Sequence, residues 1–236
     1  MWLGDFLLLC KHTISNLESF MKSKRILIET ILVICVAMCG MLLLPRAKTV
    51  FALFPSVYLL IERHVRKRPW ADLDFRFSTF WEDLRANWLW FVLVGVIMQP
   101  LIVVLAYNFV PAYLEHVVSR LPFPQGINWF VLVPMLAFSL IAEEMTFRTL
   151  IQGRLTPYLG KAGAILLASL LFGISHFSSG VWFIVLIDIA GIFVDSILYG
   201  IIYARSNNLV VTWAAHLLGD ILGMLFLISL IQGVLL

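Results

Sequence analysis

Seven long apolar stretches decide what this chain can become. They lie near residues 26–44, 49–61, 88–107, 127–151, 162–176, 181–204 and 209–236. About 20 apolar residues make a helix long enough to cross the hydrocarbon core of a bilayer. The chain therefore reads as all-α, a polytopic transmembrane helix bundle of seven or eight spans. The count stays open because the second stretch is short and the last is long for one span, with a break expected near Gly219. Composition points the same way. Of 236 residues, 61% are hydrophobic and 13% charged, roughly half the charge of a soluble domain. Too little charge remains to cover a surface in water, which argues against a soluble enzyme, a disordered tail or a nucleic-acid module.

Residues 1–25 read differently. Leu3, Leu7, Cys10, Ile14, Leu17 and Met21 recur at helical spacing among Asp5, Lys11, His12 and Glu18, as in an amphipathic helix lying in the interface. The start lacks the basic region and small-residue cleavage site of a signal peptide. The chain thus divides into an interfacial helix, 1–25, and a transmembrane domain, 26–236. Cys10, Cys35 and Cys39 have neither the number nor the spacing of a disulfide or metal framework. Residues 62–87 mix arginines with Trp70, Phe75, Phe77, Phe80 and Trp81. They read as a cytoplasmic loop with an interfacial aromatic helix drawn to anionic lipid, not as a nucleic-acid site. When the spans alternate, fourteen of the 17 Lys and Arg fall on one side. The positive-inside rule makes that side, and the N-terminus, cytoplasmic.

Charge within a bilayer costs several kcal/mol, about 2.5–3.5 on insertion scales, so each such residue needs a partner or a task. Glu29 stands one turn from Lys24 and Arg25 and can snorkel. Asp188 and Asp195 are seven apart, on one helix face, as polar glue or as cavity lining. The sharper group is Glu143, Glu144, His176, His216 and Asp220. At about 1.5 Å per residue, Glu143 and Glu144 lie roughly 15–16 Å from Arg154, and His176 about 22 Å from Lys161. His216 lies about 14 Å, and Asp220 about 20 Å, from Asn207. Three helices thus bring acids and imidazoles to one depth near mid-membrane. Glu144 and Arg148 are i,i+4 neighbours and can pair. Glu143 is turned by about 100° and left freer, alongside Phe147. His216 and Asp220 also share a face, and Phe172 lies one turn before His176.

Three segments carry a resemblance. E143-E-M-T-F-R148, F172-G-I-S-H176 and H216-L-L-G-D220 resemble, in order, the EExxxR, FxxxH and HxxxN/D motifs of the CPBP family of CAAX proteases and bacteriocin-processing enzymes, also called ABI. The stretch from Leu198 to His216 is similar to the family's lead-in to its third motif. The resemblance covers about residues 120–225. It implies a glutamate-type intramembrane endopeptidase acting on a membrane-associated protein or peptide. It implies that Glu143 activates water with His176, that Glu144 supports the site through Arg148, and that His216 and residue 220 stabilise the oxyanion. Position 220 is Asp where the CAAX enzymes typically carry Asn. An ionised Asp cannot donate to an oxyanion, so Asp220 is either protonated or orients His216 by accepting its N–H.

No cofactor is expected, although Glu143, His176 and His216 would be the zinc ligands if the site held one; no H-E-x-x-H is present. Two other readings stand beside the protease. One is a non-catalytic binding or immunity protein of the same family. The other is a proton-coupled transporter, which the lack of repeated halves disfavours. Small size and the expected orientation suggest a prokaryotic cytoplasmic (inner) membrane.

Overall fold

The computed structural model describes residues 24–120 and 128–231. The interfacial helix expected over 1–25 falls almost wholly outside the described residues. Those described are mostly helical, with no strand among them. The helices are α1 (Lys24–Leu43), α2 (Lys48–Val65), α3 (Phe80–Ala86), α4 (Trp88–Phe109), α5 (Pro111–Ser119), α6 (Trp129–Glu144), α7 (Arg154–Ser175), α8 (Trp182–Ser206) and α9 (Leu209–Ile231). Wider π-type turns over Met145–Gly153 join α6 to α7, and a second π segment, Leu93–Met98, interrupts α4.

Among the described residues, five apolar tracts are long enough to cross a membrane: Lys24–Leu43, Trp88–Phe109, Trp129–Ser175, Trp182–Ser206 and Leu209–Leu230. The third has 47 residues. Straight, it would reach about 70 Å at 1.5 Å per residue, more than twice a hydrocarbon core of about 30 Å. It bends at Gly160, whose φ of 70° and ψ of 168° lie outside what a side chain with a Cβ readily adopts. The limb beyond this bend ends at His176. The last tract departs from expectation, because α9 is one unbroken helix through Gly219. Gly219 is instead a close-approach residue. A Cβ there would stand 3.1 Å from both the Val94 carbonyl oxygen and the Tyr199 hydroxyl.

Contacts between connecting segments sort into two sets. In one, Lys48 Nζ donates to the Phe177 carbonyl (3.0 Å), Arg120 pairs with Asp188 (2.8 Å), and His116 Nε2 meets Ser178 Oγ (3.1 Å). In the other, Arg154 pairs with Glu62, Arg205 Nε donates to Asn87 Oδ1 (2.9 Å), and the Asn208 amide reaches Asp83 (2.8 Å). Among the described residues, each of these contacts joins chain segments that the alternation of spans puts on one side.

The 62–87 segment is more than a lipid-facing loop. Its aromatics Trp70, Phe77 and Trp81 are exposed, but Leu73 is fully buried. Asp74, at a left-handed φ of 62°, accepts the Leu209 N–H through its carbonyl (2.8 Å) and the Tyr203 hydroxyl through its carboxylate (2.6 Å). Asn208 caps α9 by accepting the Val210 N–H (3.0 Å), while its amide donates to the Arg76 carbonyl (2.8 Å). The loop therefore clamps the α8–α9 turn and fixes the start of α9. That helix packs against α4, α6 and α8 and carries His216 and Asp220 into the bundle.

Candidate active site

Seven of the residues singled out in the sequence line one cavity of about 300 Å³: Glu143, Phe172, His176, Asp188, Asp195, His216 and Asp220. Glu144 and Arg148 stand behind it and are fully buried. Adjacent glutamates on one helix thus have different surroundings. Glu143 is partly exposed to the cavity, whereas Glu144 is enclosed.

Glu144 has two partners. Arg148 Nε donates to Oε2 (3.1 Å), and His216 Nδ1 lies 2.8 Å from Oε1. The carboxylate can only accept when ionised, so the shared proton sits on His216 Nδ1 and Nε2 is turned to the cavity. Arg148 is anchored from its other side, where one terminal nitrogen donates to Ser196 Oγ (2.9 Å). The chain Ser196–Arg148–Glu144–His216 therefore ties α6, its π extension, α8 and α9 together. Buried ions of this kind demand partners, since removing one leaves the other uncompensated.

His176 caps the end of α7. Its Nδ1 lies 2.9 Å from the Phe172 carbonyl one turn earlier and 3.3 Å from Ser175 Oγ. Donation from Nδ1 to that carbonyl leaves Nε2 as an acceptor. Aromatic rings fix both imidazoles. Phe172 lies 4.6 Å from His176 and 5.8 Å from His216 between ring centroids, and Phe147 meets Phe172 edge-on at 4.9 Å. Tyr199 stacks on His216 at 4.4 Å.

Asp220 lies near His216 without holding it. Its Oδ1 is 3.9 Å from Nε2, beyond hydrogen-bond length. The N–H acceptor that orients His216 is Glu144, a part the sequence reading had offered to Asp220. Among the described residues, no group of three His, Cys, Asp or Glu side chains converges as a metal site. Nδ1 of His176 and Nδ1 of His216 are each engaged, which leaves each Nε2 for the cavity.

Other cavity residues were not singled out. Tyr199, Gln99, Arg120 and Tyr113 line it, and Ser196 anchors Arg148. Asp188 and Asp195, left open between glue and lining, do both. Asp188 pairs with Arg120, Asp195 accepts from the Gln99 amide, and both face the cavity. The only sequence signal for Tyr199 is its place one turn after Asp195. Ser196 and Gln99 carried none, because their partners are distant in the chain.

Fold and cavity together define an integral membrane protein with a buried carboxylate–imidazole site. Residues 124–222 match the family model for type II CAAX prenyl endopeptidase Rce1-like proteins. All three motifs lie within that match, which agrees with their resemblance to the CAAX protease family. No curated protein matches the chain, and neither does any solved structure.

Proposed function

We propose that the chain is an intramembrane endopeptidase that hydrolyses a peptide bond in a membrane-associated protein or peptide, without a metal. One observation carries this reading. Glu143 and His176 face a common cavity, while Glu144 and Arg148 lie behind it and hold His216. Water in the cavity gives a proton to Glu143 and a hydrogen bond to His176 Nε2. The hydroxide attacks the carbonyl carbon. Doubly protonated His216 donates one N–H to Glu144 and turns the other to the developing oxyanion. Glu143 then returns its proton to the leaving amine as the C–N bond breaks. Asp220, an acceptor when ionised, takes part through His216 rather than through the oxyanion.

The same reading sets the basic loops and the N-terminus in the cytoplasm of a prokaryotic inner membrane. Purified protein in liposomes tests the activity. The probe is a quenched fluorogenic peptide ending in a prenylated Cys-aliphatic-aliphatic-X sequence, beside its unprenylated twin. Cleavage of either, undiminished by strong zinc chelators, is expected. Binding of both without cleavage would instead favour the immunity or binding role, and zinc-restored activity after chelation would overturn the metal-free mechanism.

A further inference from the structure

The α8 wall of the cavity, beside His216, holds two polar atoms that the mechanism does not use. Asp195 is 4% exposed and Tyr199 1%. The Asp195 Oδ2 accepts from the Gln99 amide (2.5 Å), but Oδ1 has no partner; neither has the Tyr199 hydroxyl. Leaving a polar atom unpaired in such surroundings is costly. Both residues line the cavity, and as i,i+4 neighbours on α8 their Cβ atoms are about 5–6 Å apart. The α9 backbone packs closely around these groups. Gly219 lets α9 approach the Tyr199 hydroxyl, and Gly223 lets it approach Gln99, where a Cβ would stand 3.0 Å from the glutamine Cβ.

We infer that Asp195 and Tyr199 form a subsite that docks the backbone of the peptide substrate, the Asp195 Oδ1 accepting a substrate N–H and the Tyr199 hydroxyl donating to a substrate carbonyl. A peptide unit presents one donor and one acceptor, and this wall offers one of each complement. Tyr199 also stacks on His216, so a peptide docked here lies beside the imidazole that faces the oxyanion. The assignment rests on the protease reading and names the part of the substrate that the wall holds.

Tyr199→Phe keeps the stacked ring, and Asp195→Leu removes the acceptor at similar volume. With the fluorogenic peptide, each is expected to raise KM about ten-fold, a loss of about 1.4 kcal/mol, while kcat stays within about two-fold. Replacing one backbone amide near the scissile bond by an ester removes a substrate N–H. At one position this should raise KM on the wild type and add nothing on Asp195→Leu. Should Asp195→Leu fail to fold, Asp195→Asn with the same ester series replaces it. Its neutral acceptor should shrink the ester penalty by at least three-fold, and an unchanged penalty would overturn the assignment. Unchanged KM in the folded variants, or ester effects that simply multiply, would also overturn it, leaving a buried water as the partner of these atoms. If the wild type cleaves nothing, the protease reading fails separately. Anisotropy of the labelled peptide on Glu143→Ala protein then still reads the subsite. Ten-fold weaker binding on adding Tyr199→Phe supports it, and equal binding refutes it.

Discussion

Removing the charges of Glu144 and Arg148 together should cost less than the sum of removing each alone. Glu144 and Arg148 are both fully buried, with Nε 3.1 Å from Oε2. Glu144→Gln leaves Arg148 with Ser196 as its remaining hydrogen-bond partner, and Arg148→Met leaves Glu144 with only His216. Breaking a buried pair from one side costs about 3–5 kcal/mol. For a chain of this size each kcal/mol shifts Tm by roughly 2–4 °C, so either single variant should melt about 6–20 °C lower. The double variant removes both charges and strands neither. It should be less destabilised than the sum of the singles by about 2–3 kcal/mol, or roughly 4–12 °C. Thermal unfolding in a mild detergent, followed by tryptophan fluorescence and repeated for wild type, both singles and the double, measures this coupling. Additivity to within about 0.5 kcal/mol would refute the claim that the pair forms the frame behind the cavity.

Asp74 gives a pH signature outside the spans. Burial raises its carboxyl above the ordinary range, outweighing the Tyr203 hydroxyl and Arg76, which pull it down. The folded state then holds this proton more tightly than the unfolded one, so stability falls as pH rises from about 3.9 through the raised value. Asp74→Asn should melt near wild type at the acid end and higher at neutral pH; a difference that does not grow with pH would contradict this. Gly219→Leu should lose about 1–3 kcal/mol through overpacking against Val94 and Tyr199, and wild-type Tm would refute the close approach. Asp220→Asn should keep kcat within about ten-fold, since Glu144 and not Asp220 holds His216; complete loss would give Asp220 an acid or orienting part.

The helices and most of the site were legible in the sequence, for two physical reasons. Apolar runs at bilayer length leave the backbone little choice but helix. The rarity of ionisable residues within those runs then marked Glu143, Glu144, His176, His216 and Asp220. Helical spacing also separated the two glutamates, one toward Arg148 and one away from it. What stayed hidden depends on contacts between distant segments. That Glu144 reaches His216, 72 residues on, is set by how α9 docks, and spacing within α9 had pointed to Asp220 instead. The role of Gly219 required seeing Val94 and Tyr199 against it, because a glycine inside a helix reads equally as a break or as a close contact. The π turns after Glu144 leave no mark in the apolar pattern, yet they begin beside the residue that holds His216.

The central claim is that Glu143 does the chemistry from the cavity while Glu144 holds the frame. The most direct measurement is kcat of Glu143→Gln, taken beside its Tm in the same detergent. Loss of a general base costs about 10²–10⁴-fold. A loss of that size is expected, with Tm within about 2 °C of wild type, because Glu143 is absent from the Ser196–Arg148–Glu144–His216 chain. Turnover near the wild-type rate in folded Glu143→Gln would contradict it.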